Sequence, residues 1–441
     1  MKGYLILVSL VAAAGGFLFG FDTSVISGAI EFLEKVFQLT QIEKGWTVSC
    51  IILGCMVGCI VVGPLSGKYG RKKLLIFTAL LFLVSSLGCA LATQYYVFII
   101  NRIVAGLAVG SASMLAPIYI AEISPAKHRG KLVALNVFAI FLGQFTAFFS
   151  NFLLRDVGGV DNWRWMIGIQ VVPSAVLLVF LFFIPESPRW LVEKNQRSKA
   201  LKTLLKLGDN RNANADLEEI IHSVEETYQG KLKDLFIPRM FKLLLIGIMI
   251  GIFQQITGIN VIMYYAPTIF RFAGFGTDSA LLQTVLMGIV NMVFAVASMF
   301  FVDKVGRRPL MIIGSAGMGL CLLALSVIFI YQDIHRFFVL GSIMGFLAFF
   351  GFSLGPVVWV IISEIFPNKL RSYAVAITVF FIWASNFIVS LSFPYLLANL
   401  GGYSFFIFSF MCFLCVLFVV KYLRETKGKT LERIEYEVTE A

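Results

Sequence analysis

Two ionisable residues lie inside apolar segments and are the first candidates for chemistry. Asp22 stands in the run GFLFGFDTSVISGA, and Arg102 begins the run RIVAG. An Asp or Arg at the centre of a membrane costs about 3 kcal/mol on insertion scales, so a charge at that depth is a functional candidate by default. Burial disfavours the ionised carboxylate and a nearby guanidinium stabilises it, so separating the two changes proton occupancy. The pair could therefore load and release a proton; a permanent structural ion pair is the alternative.

A second group of candidates consists of neutral polar residues in apolar segments. The run GIFQQITGINVIMYYAP holds Gln254, Gln255 and Asn260, and Thr257 with Gly258 interrupts it. Such an interruption exposes backbone polar groups, which are tolerated where they face protein or a water-filled cavity. Amides donate and accept hydrogen bonds, which suits an uncharged ligand covered with hydroxyl groups, although any one amide could serve helix packing instead. The remaining members are Gln144, Tyr264, Asn291, Asn386, Trp359 and Trp383, the last two offering flat faces for the C–H side of a pyranose.

The elements that must position these residues are membrane-spanning helices. With 59% hydrophobic and 14% charged residues in 441, and a mean hydropathy of +0.88, the chain has too little polar surface for a water-soluble globule. Runs long enough to cross a bilayer, roughly 20 residues, fall near 5–28, 45–66, 74–93, 96–121, 132–154, 163–184, 240–270, 279–302, 310–331, 337–363, 372–397 and 403–423. We therefore predict an all-α membrane protein with twelve transmembrane helices.

Three short polar signatures occur twice at nearly the same spacing. They are EISPAKHR at 122–129 and EIFPNKLR at 364–371, GRK at 70–72 and GRR at 306–308, and Glu186 and Glu425. Three matches in one order indicate a duplication, which in an apolar chain is typical of a transporter built from repeats. The sequence predicts two pseudo-symmetric halves of six helices each.

The duplication divides the chain into four predicted parts. They are an N-terminal half (1–185), a linker (186–238), a C-terminal half (239–424) and a cytoplasmic tail (425–441). In the linker, leucine and isoleucine recur at three- and four-residue steps among charges, which predicts short amphipathic helices on the cytoplasmic side. A stretch of that length is too short to build the core of a soluble enzyme domain.

The distribution of positive charge predicts the orientation. Most of the 36 Lys and Arg residues fall in loops and tails that lie inside if both termini are cytoplasmic, in line with the positive-inside rule. The net charge of +11 then reflects topology and contact with anionic lipid, not a nucleic-acid surface. We expect a multi-pass protein of the inner membrane whose first helix is not cleaved. Seven cysteines in apolar runs are expected to be reduced packing residues, and no metal or other cofactor is implied.

The chain resembles the sugar porter family of the major facilitator superfamily over nearly its whole length. The matching segments are GPLSGKYGRKK (63–73), RIVAG (102–106), PIYIAEISPAKHRG (117–130), PESPRW (185–190), QQITGINVIMYYAP (254–267), VDKVGRR (302–308) and GPVVWVIISEIFP (355–367). Similarity is greatest to the bacterial sugar–proton symporters, because those members have an aspartate at the place of Asp22, where facilitative glucose carriers have a neutral residue. The chain departs from the common pattern at Gly67, where Asp is usual, and at Arg424, where Pro is frequent.

The resemblance implies the major facilitator fold and a set of sugar-binding positions. Matching positions are Gln144, Gln254, Gln255, Asn260, Asn291 and Trp359, with Phe19, Tyr264, Trp383 and Asn386 nearby.

The repeated polar signatures predict a gate at the cytoplasmic ends of the spans. Arginine and glutamate recur there in both halves and can pair with each other and with exposed helix termini. These pairs would close the inside while the outside is open; anchoring of lipid headgroups is the alternative. The residues are Arg71, Glu122, Arg129, Glu186, Arg307, Glu364, Arg371 and Glu425.

These observations favour a secondary active importer. A monosaccharide, expected to be a hexose such as glucose or galactose, and one proton bind from outside, neutralised Asp22 loosens from Arg102, and the halves reorient. The expected partners are the sugar, the proton and membrane lipids, and the protein is expected to act as a monomer. An uncoupled facilitator and a membrane sugar sensor are alternatives. The sequence has no nucleophile motif, metal-ligand cluster or phosphate-cradling loop, so an enzyme is not expected.

Overall fold

The fold consists of apolar helices, and a computed structural model describes most of the chain. The described residues are 3–125, 128–207, 213–225, 232–331, 337–367, 370–425 and 427. Among them, twelve helical segments are long and apolar enough to cross a membrane. The prediction of an all-α protein with twelve spans is confirmed. Most of the predicted tail, 426 and 428–441, lies outside the described residues.

Among the first six spans, the sixth is broken into two helices. They comprise α1 (Gly3–Phe37), α2 (Gln41–Tyr69), α3 (Arg71–Ala90), α4 (Tyr95–Ile123), α5 (Arg129–Leu153), α6 (Asn162–Gly168) and α7 (Val171–Leu181). The junction of α6 and α7 leaves Ile169 and Gln170 in a turn, where the Gln170 N–H bonds the Ile167 carbonyl three residues back. That tight turn places the Gln170 side chain at the junction.

The linker forms the short helices that its periodicity predicted. They are α8 (Pro188–Glu193), α9 (Arg197–Leu207) and α10 (Ala213–Glu225). Ser187 caps α8, since its hydroxyl accepts from the Trp190 N–H at 3.3 Å and Pro188 occupies the first turn, where a missing N–H is harmless. Apolar residues of the three helices, including Leu191, Ala200 and Ile221, share one small core.

The second six spans contain more breaks. They comprise α11 (Pro238–Ile256), α12 (Ile259–Tyr264), α13 (Ala266–Phe272), α14 (Thr277–Val305), α15 (Arg307–Ile330), α16 (Phe337–Phe352), α17 (Leu354–Glu364), α18 (Arg371–Leu400) and α19 (Tyr403–Tyr422). Gly258, between α11 and α12, has φ 90°, a left-handed conformation that glycine adopts without steric cost. The interruption predicted at Thr257 and Gly258 is therefore a real end of α11.

Contacts within the chain define two compact units. The first contains Met1–Val25, Cys50–Ala147 and Asp161–Tyr228, and the second contains Ile26–Ser49, Phe148–Val160 and Gln229–Ala441. The second unit thus includes the ends of α1, α2 and α5 that are predicted to lie outside. In it, Arg271 donates to Glu31, and the Trp46 and Phe387 rings meet edge to face at 6.2 Å. These contacts connect segments of the first sequence half to helices of the second.

Glycines let α2 and α4 approach through their backbones in the first unit. A Cβ atom added to Gly106 would meet the carbonyl oxygen of Ile51, and one added to Gly110 would meet that of Cys55. Only glycine permits such an approach. Because Arg102 lies one turn from Gly106, this packing also fixes the position of the Arg102 backbone, from which its side chain extends.

A glycine turn with the same geometry occurs in both halves. Gly70, between α2 and α3, has φ 99° and ψ 157°, and Gly306, between α14 and α15, has φ 107° and ψ 161°. This region of backbone space is essentially restricted to glycine. A Cβ atom on either glycine would also press against a carboxylate, that of Glu186 or Glu425.

Gly70→Ala and Gly306→Ala should each destabilise the protein by about 1–3 kcal/mol, the cost of a side chain in this backbone region. Thermal unfolding in detergent measures the effect. Gly67→Ala is the matched control, because it lies in the last turn of α2 with no atom within 4 Å of its added Cβ. Equal unfolding midpoints for Gly70→Ala and Gly67→Ala would contradict the conclusion that the backbone conformation at Gly70 requires glycine.

Candidate functional site

The two charges predicted to pair are in contact inside the first unit. The Arg102 Nη1 atom on α4 donates to Asp22 Oδ1 on α1 at 2.6 Å and lies 3.5 Å from the Asp22 carbonyl oxygen. Only 1% of the Arg102 side chain and 2% of the Asp22 side chain are exposed. A buried charge pair of this kind keeps both groups ionised only while they stay together, because either charge alone would be uncompensated.

A third residue, Gln170, completes this site, although no motif in the sequence points to it. The Gln170 Nε2 atom donates to Asp22 Oδ2 at 2.9 Å, and Gln170 is 1% exposed. The carboxylate therefore receives one hydrogen bond on each oxygen, from a guanidinium and from an amide. The available signal was a single glutamine inside the apolar run of the sixth span, followed by Pro173.

An amide network occupies the broken end of α11 in the second unit. Gln254 Nε2 donates to the Leu354 carbonyl at 3.1 Å and the Gly355 carbonyl at 3.3 Å, so it joins α11 to the start of α17. Gln255 Nε2 lies 3.3 Å from Gln254 Oε1, and Asn260 Nδ2 donates to Gln255 Oε1 at 2.6 Å. Gln254 and Gln255 are buried, whereas Asn260 is half-buried and can reach a ligand.

The other expected sugar-binding residues of the second unit lie on four helices. Tyr264 on α12, Asn291 on α14 and both Trp383 and Asn386 on α18 are buried, and Asn386 Oδ1 accepts from the Ser390 hydroxyl at 2.9 Å. Trp359 on α17 is 48% exposed, so much of its ring is free to contact a ligand or lipid.

Phe19 and Gln144 belong to the first unit. They lie on α1 and α5, each beside a glycine, Gly20 or Gly143, and both are half-buried. A Cβ atom on Gly20 would meet the Ile140 carbonyl oxygen, and one on Gly143 would meet that of Phe17. The two helices therefore touch through their backbones, and Phe19 and Gln144 flank this contact.

The polar signature of the first half forms a compact cluster at the start of α3. Arg71 Nη2 donates to Glu122 Oε1 at 2.8 Å, and Glu186 Oε1 accepts from the backbone N–H groups of Arg71 at 3.0 Å and Lys72 at 3.1 Å. Burial raises the pKa of the Glu186 carboxyl, and the backbone donors and Arg71 oppose that effect. Glu193 Oε2 lies 3.4 Å from Arg71 Nη1 and adds the linker helix α8 to the cluster.

The second half repeats this cluster. Arg307 Nη2 donates to Glu364 Oε1 at 2.8 Å, and Glu425 accepts from the backbone N–H groups of Arg307 and Arg308, each at 3.0 Å. In both halves one glutamate thus pairs with an arginine and another accepts from the free N–H groups that begin a helix. In each cluster the glutamate that accepts from the backbone, Glu186 or Glu425, comes from the segment that follows that half.

The two remaining gate candidates are placed differently. Arg129 begins α5 and is exposed, whereas the Arg371 guanidinium donates to the Phe366 carbonyl at 3.1 Å. The structure therefore joins Arg71, Glu122 and Glu186, and separately Arg307, Glu364 and Glu425. A gating movement of these residues stays a prediction.

Comparison with known proteins gives matches over the whole chain. Residues 8–438 match the family model described as Sugar (and other) transporter. The arabinose-proton symporter of Bacillus subtilis (strain 168) is 38% identical over 439 residues, which cover 98% of this chain and 95% of that protein. The D-xylose-proton symporter of Escherichia coli (strain K12) is 39% identical over 472 residues, with 98% and 96% coverage. The glucose transporter GlcP of Staphylococcus epidermidis (strain ATCC 12228 / FDA PCI 1200) is 36% identical over 446 residues, with 100% and 98% coverage.

Solved structures show the same relationship. An inward-open structure of the xylose transporter XylE from E. coli superimposes with a TM-score of 0.88 at 38% identity, covering 98% of this chain and 99% of that one. XylE bound to 6-bromo-6-deoxy-D-glucose, described as a proton:xylose symporter of the major facilitator superfamily, superimposes with a TM-score of 0.81 at 39% identity, covering 98% and 99%. The chain therefore belongs to the sugar (and other) transporter family, as a twelve-helix membrane transporter with the major facilitator fold and not an enzyme.

Proposed function

We propose that the protein imports a monosaccharide together with a proton by alternating access, with both termini in the cytoplasm. The observation that carries the proton role is the buried Asp22 carboxylate with a donor on each oxygen. The arabinose and xylose relatives are proton symporters by name, which supports the same coupling here. The amide network around Gln254 supports an uncharged, hydroxyl-rich cargo.

Protonation changes what holds α1 to α4. The ionised Asp22 attracts the Arg102 guanidinium in a site that water does not reach, where the interaction is strong. A proton on Asp22 removes that attraction, so the contact between α1 and α4 loosens and the helices can move. A membrane potential of 100 mV contributes about 2.3 kcal/mol per proton, and that free energy corresponds to a roughly fiftyfold sugar gradient.

The proposed cargo is a hexose, such as glucose or galactose. The segment TGINVIMYYAP, with Met263 beside Tyr264, resembles that of hexose symporters, and the similarity to the glucose transporter of S. epidermidis supports it. A pentose differs from a hexose by one hydroxymethyl group, which is a small discrimination in a binding site. Counterflow of radiolabelled glucose, galactose, xylose and arabinose in proteoliposomes distinguishes them; faster exchange of both pentoses would reject a hexose as the cargo.

Asp22→Asn should abolish sugar accumulation driven by a pH gradient and retain sugar exchange, because asparagine mimics the neutral carboxyl and cannot release a proton. Uptake by right-side-out vesicles measures both activities. Asp156→Asn is the control, since the Asp156 side chain is 77% exposed. Full accumulation by Asp22→Asn would place the coupling proton on another residue, whereas a wild type that does not accumulate sugar would be an uncoupled facilitator.

Asn260→Ala should weaken sugar binding about tenfold, the effect of one lost hydrogen bond of ordinary strength. The half-saturation concentration in counterflow experiments measures it. Asn101→Ala is the matched control, because the Asn101 amide donates to the Val97 carbonyl of its own helix at 2.8 Å. Equal half-saturation for the two variants would remove Asn260 from the sugar site.

A further inference from the structure

We propose that Gln170 is a positioning residue for Asp22 that sets the pH range in which this carboxyl exchanges its proton. The proposal rests on the proton role proposed for Asp22. It assigns a function to a residue of the sixth span that none of the sequence motifs includes. The junction between α6 and α7 provides its position.

The geometry gives each carboxylate oxygen its own donor. Arg102 Nη1 lies 2.6 Å from Oδ1 of Asp22, and Gln170 Nε2 lies 2.9 Å from Oδ2. An ionised carboxylate can only accept hydrogen bonds, so the amide presents its NH₂ group to it. With Gln170 1% exposed, water does not replace this donor. Gln170 therefore stabilises the ionised form that the structure shows.

The same amide can also bond the protonated carboxyl. Protonation turns one carboxyl oxygen into a donor, and rotation of the Gln170 amide by half a turn brings its Oε1 acceptor to the same place. An amide can satisfy the buried carboxyl in both states, whereas an aliphatic side chain satisfies neither. Because the ionised form has the larger need for a donor, loss of the amide disfavours that form most.

The other titratable groups facing the pair are thiols. In the part of the chain that the structure describes, Cys50 and Cys55 of α2 and Cys89 of α3 lie within electrostatic range of Asp22 or Arg102. All three are buried cysteine thiols. Arg102 supplies the positive charge of the site and Gln170 supplies its neutral donor, so the two contributions can be separated by substitution.

The backbone holds Gln170 on both sides. Its N–H bonds the Ile167 carbonyl at 3.3 Å, and its own carbonyl accepts from the Ser174 N–H at 3.1 Å. The Gln170 side chain therefore extends to Asp22 from a backbone position that is fixed on both sides. Ser174 lies one turn further along α7 and is equally buried, and its hydroxyl makes no hydrogen bond within the described residues. It offers a control substitution on the same helix.

The experiment compares the pH dependence of sugar counterflow in proteoliposomes for the wild type, Gln170→Leu, Gln170→Met and Ser174→Ala. Loss of a donor to the ionised form lets the protonated form persist to higher pH. The pH at which counterflow is half-maximal should rise by about one unit in both Gln170 variants. That is the size expected for one hydrogen bond to a charged group. The sugar concentration that half-saturates counterflow, measured at a pH below that midpoint, should not change in the Gln170 variants. Ser174→Ala should have the same pH midpoint as the wild type.

Asp22→Asn, measured in the same series, separates the two proposals. Exchange by Asp22→Asn should not depend on pH over this range; if it keeps the wild-type profile, the proton role of Asp22 fails. If Asp22→Asn behaves as expected but the Gln170 variants keep the wild-type midpoint or move to lower pH, only the role of Gln170 is overturned. Should Gln170→Leu fail to reconstitute, Gln170→Met alone decides, since its unbranched side chain fills a similar volume.

Discussion

The contact between Asp22 and Arg102 is the interaction on which the proposed mechanism depends, because neither charge is stable when buried without the other. Three helices must deliver their side chains to one point: α1 brings the carboxylate, α4 brings the guanidinium, and the α6–α7 junction brings the Gln170 amide. The glycine contacts of α2 with α4 and of α1 with α5 keep these helices in backbone contact. A single proton changes the balance of that site, since it removes the negative charge that Asp22 places beside Arg102. In the proposed mechanism, proton binding and helix packing are therefore parts of one equilibrium.

The duplicated polar clusters have a different role: they stabilise the sharp turn between two consecutive membrane helices. The first N–H groups of α3 and α15 have no partner within their own helices. Glu186 and Glu425 accept from them, and the glycine before each helix leaves space for the carboxylate. The paired arginines, Arg71 and Arg307, then bond Glu122 and Glu364 of a neighbouring helix. The same four-part arrangement occurs in both halves.

Helix breaks concentrate the hydrogen-bonding capacity of the second unit. Gln254 lies in the last turn of α11, which ends at Ile256, and its amide bonds the carbonyl groups of Leu354 and Gly355 in the first turn of α17. The amides of Gln255 and Asn260 continue the chain of bonds to a half-buried position. A buried network of this kind is held by its own bonds, so its amide groups are oriented before any ligand is present.

The twelve spans, the duplication and the pairing of Asp22 with Arg102 followed from the sequence alone. Run length fixes what can cross a bilayer, repeated motifs keep their order, and two opposite charges buried at depth have few other partners available. The sequence did not indicate Gln170, because one neutral amide in an apolar run carries little insertion cost and its partner is distant in sequence. Nor did it indicate which of the four glutamates accept from the backbone N–H groups at a helix start, or that the ends of α1, α2 and α5 pack with second-half helices. Hydropathy and motif order are properties of the linear chain. These contacts depend instead on where each helix breaks and how closely its neighbour approaches. Tertiary packing alone decides both the position of the breaks and the closeness of the approach.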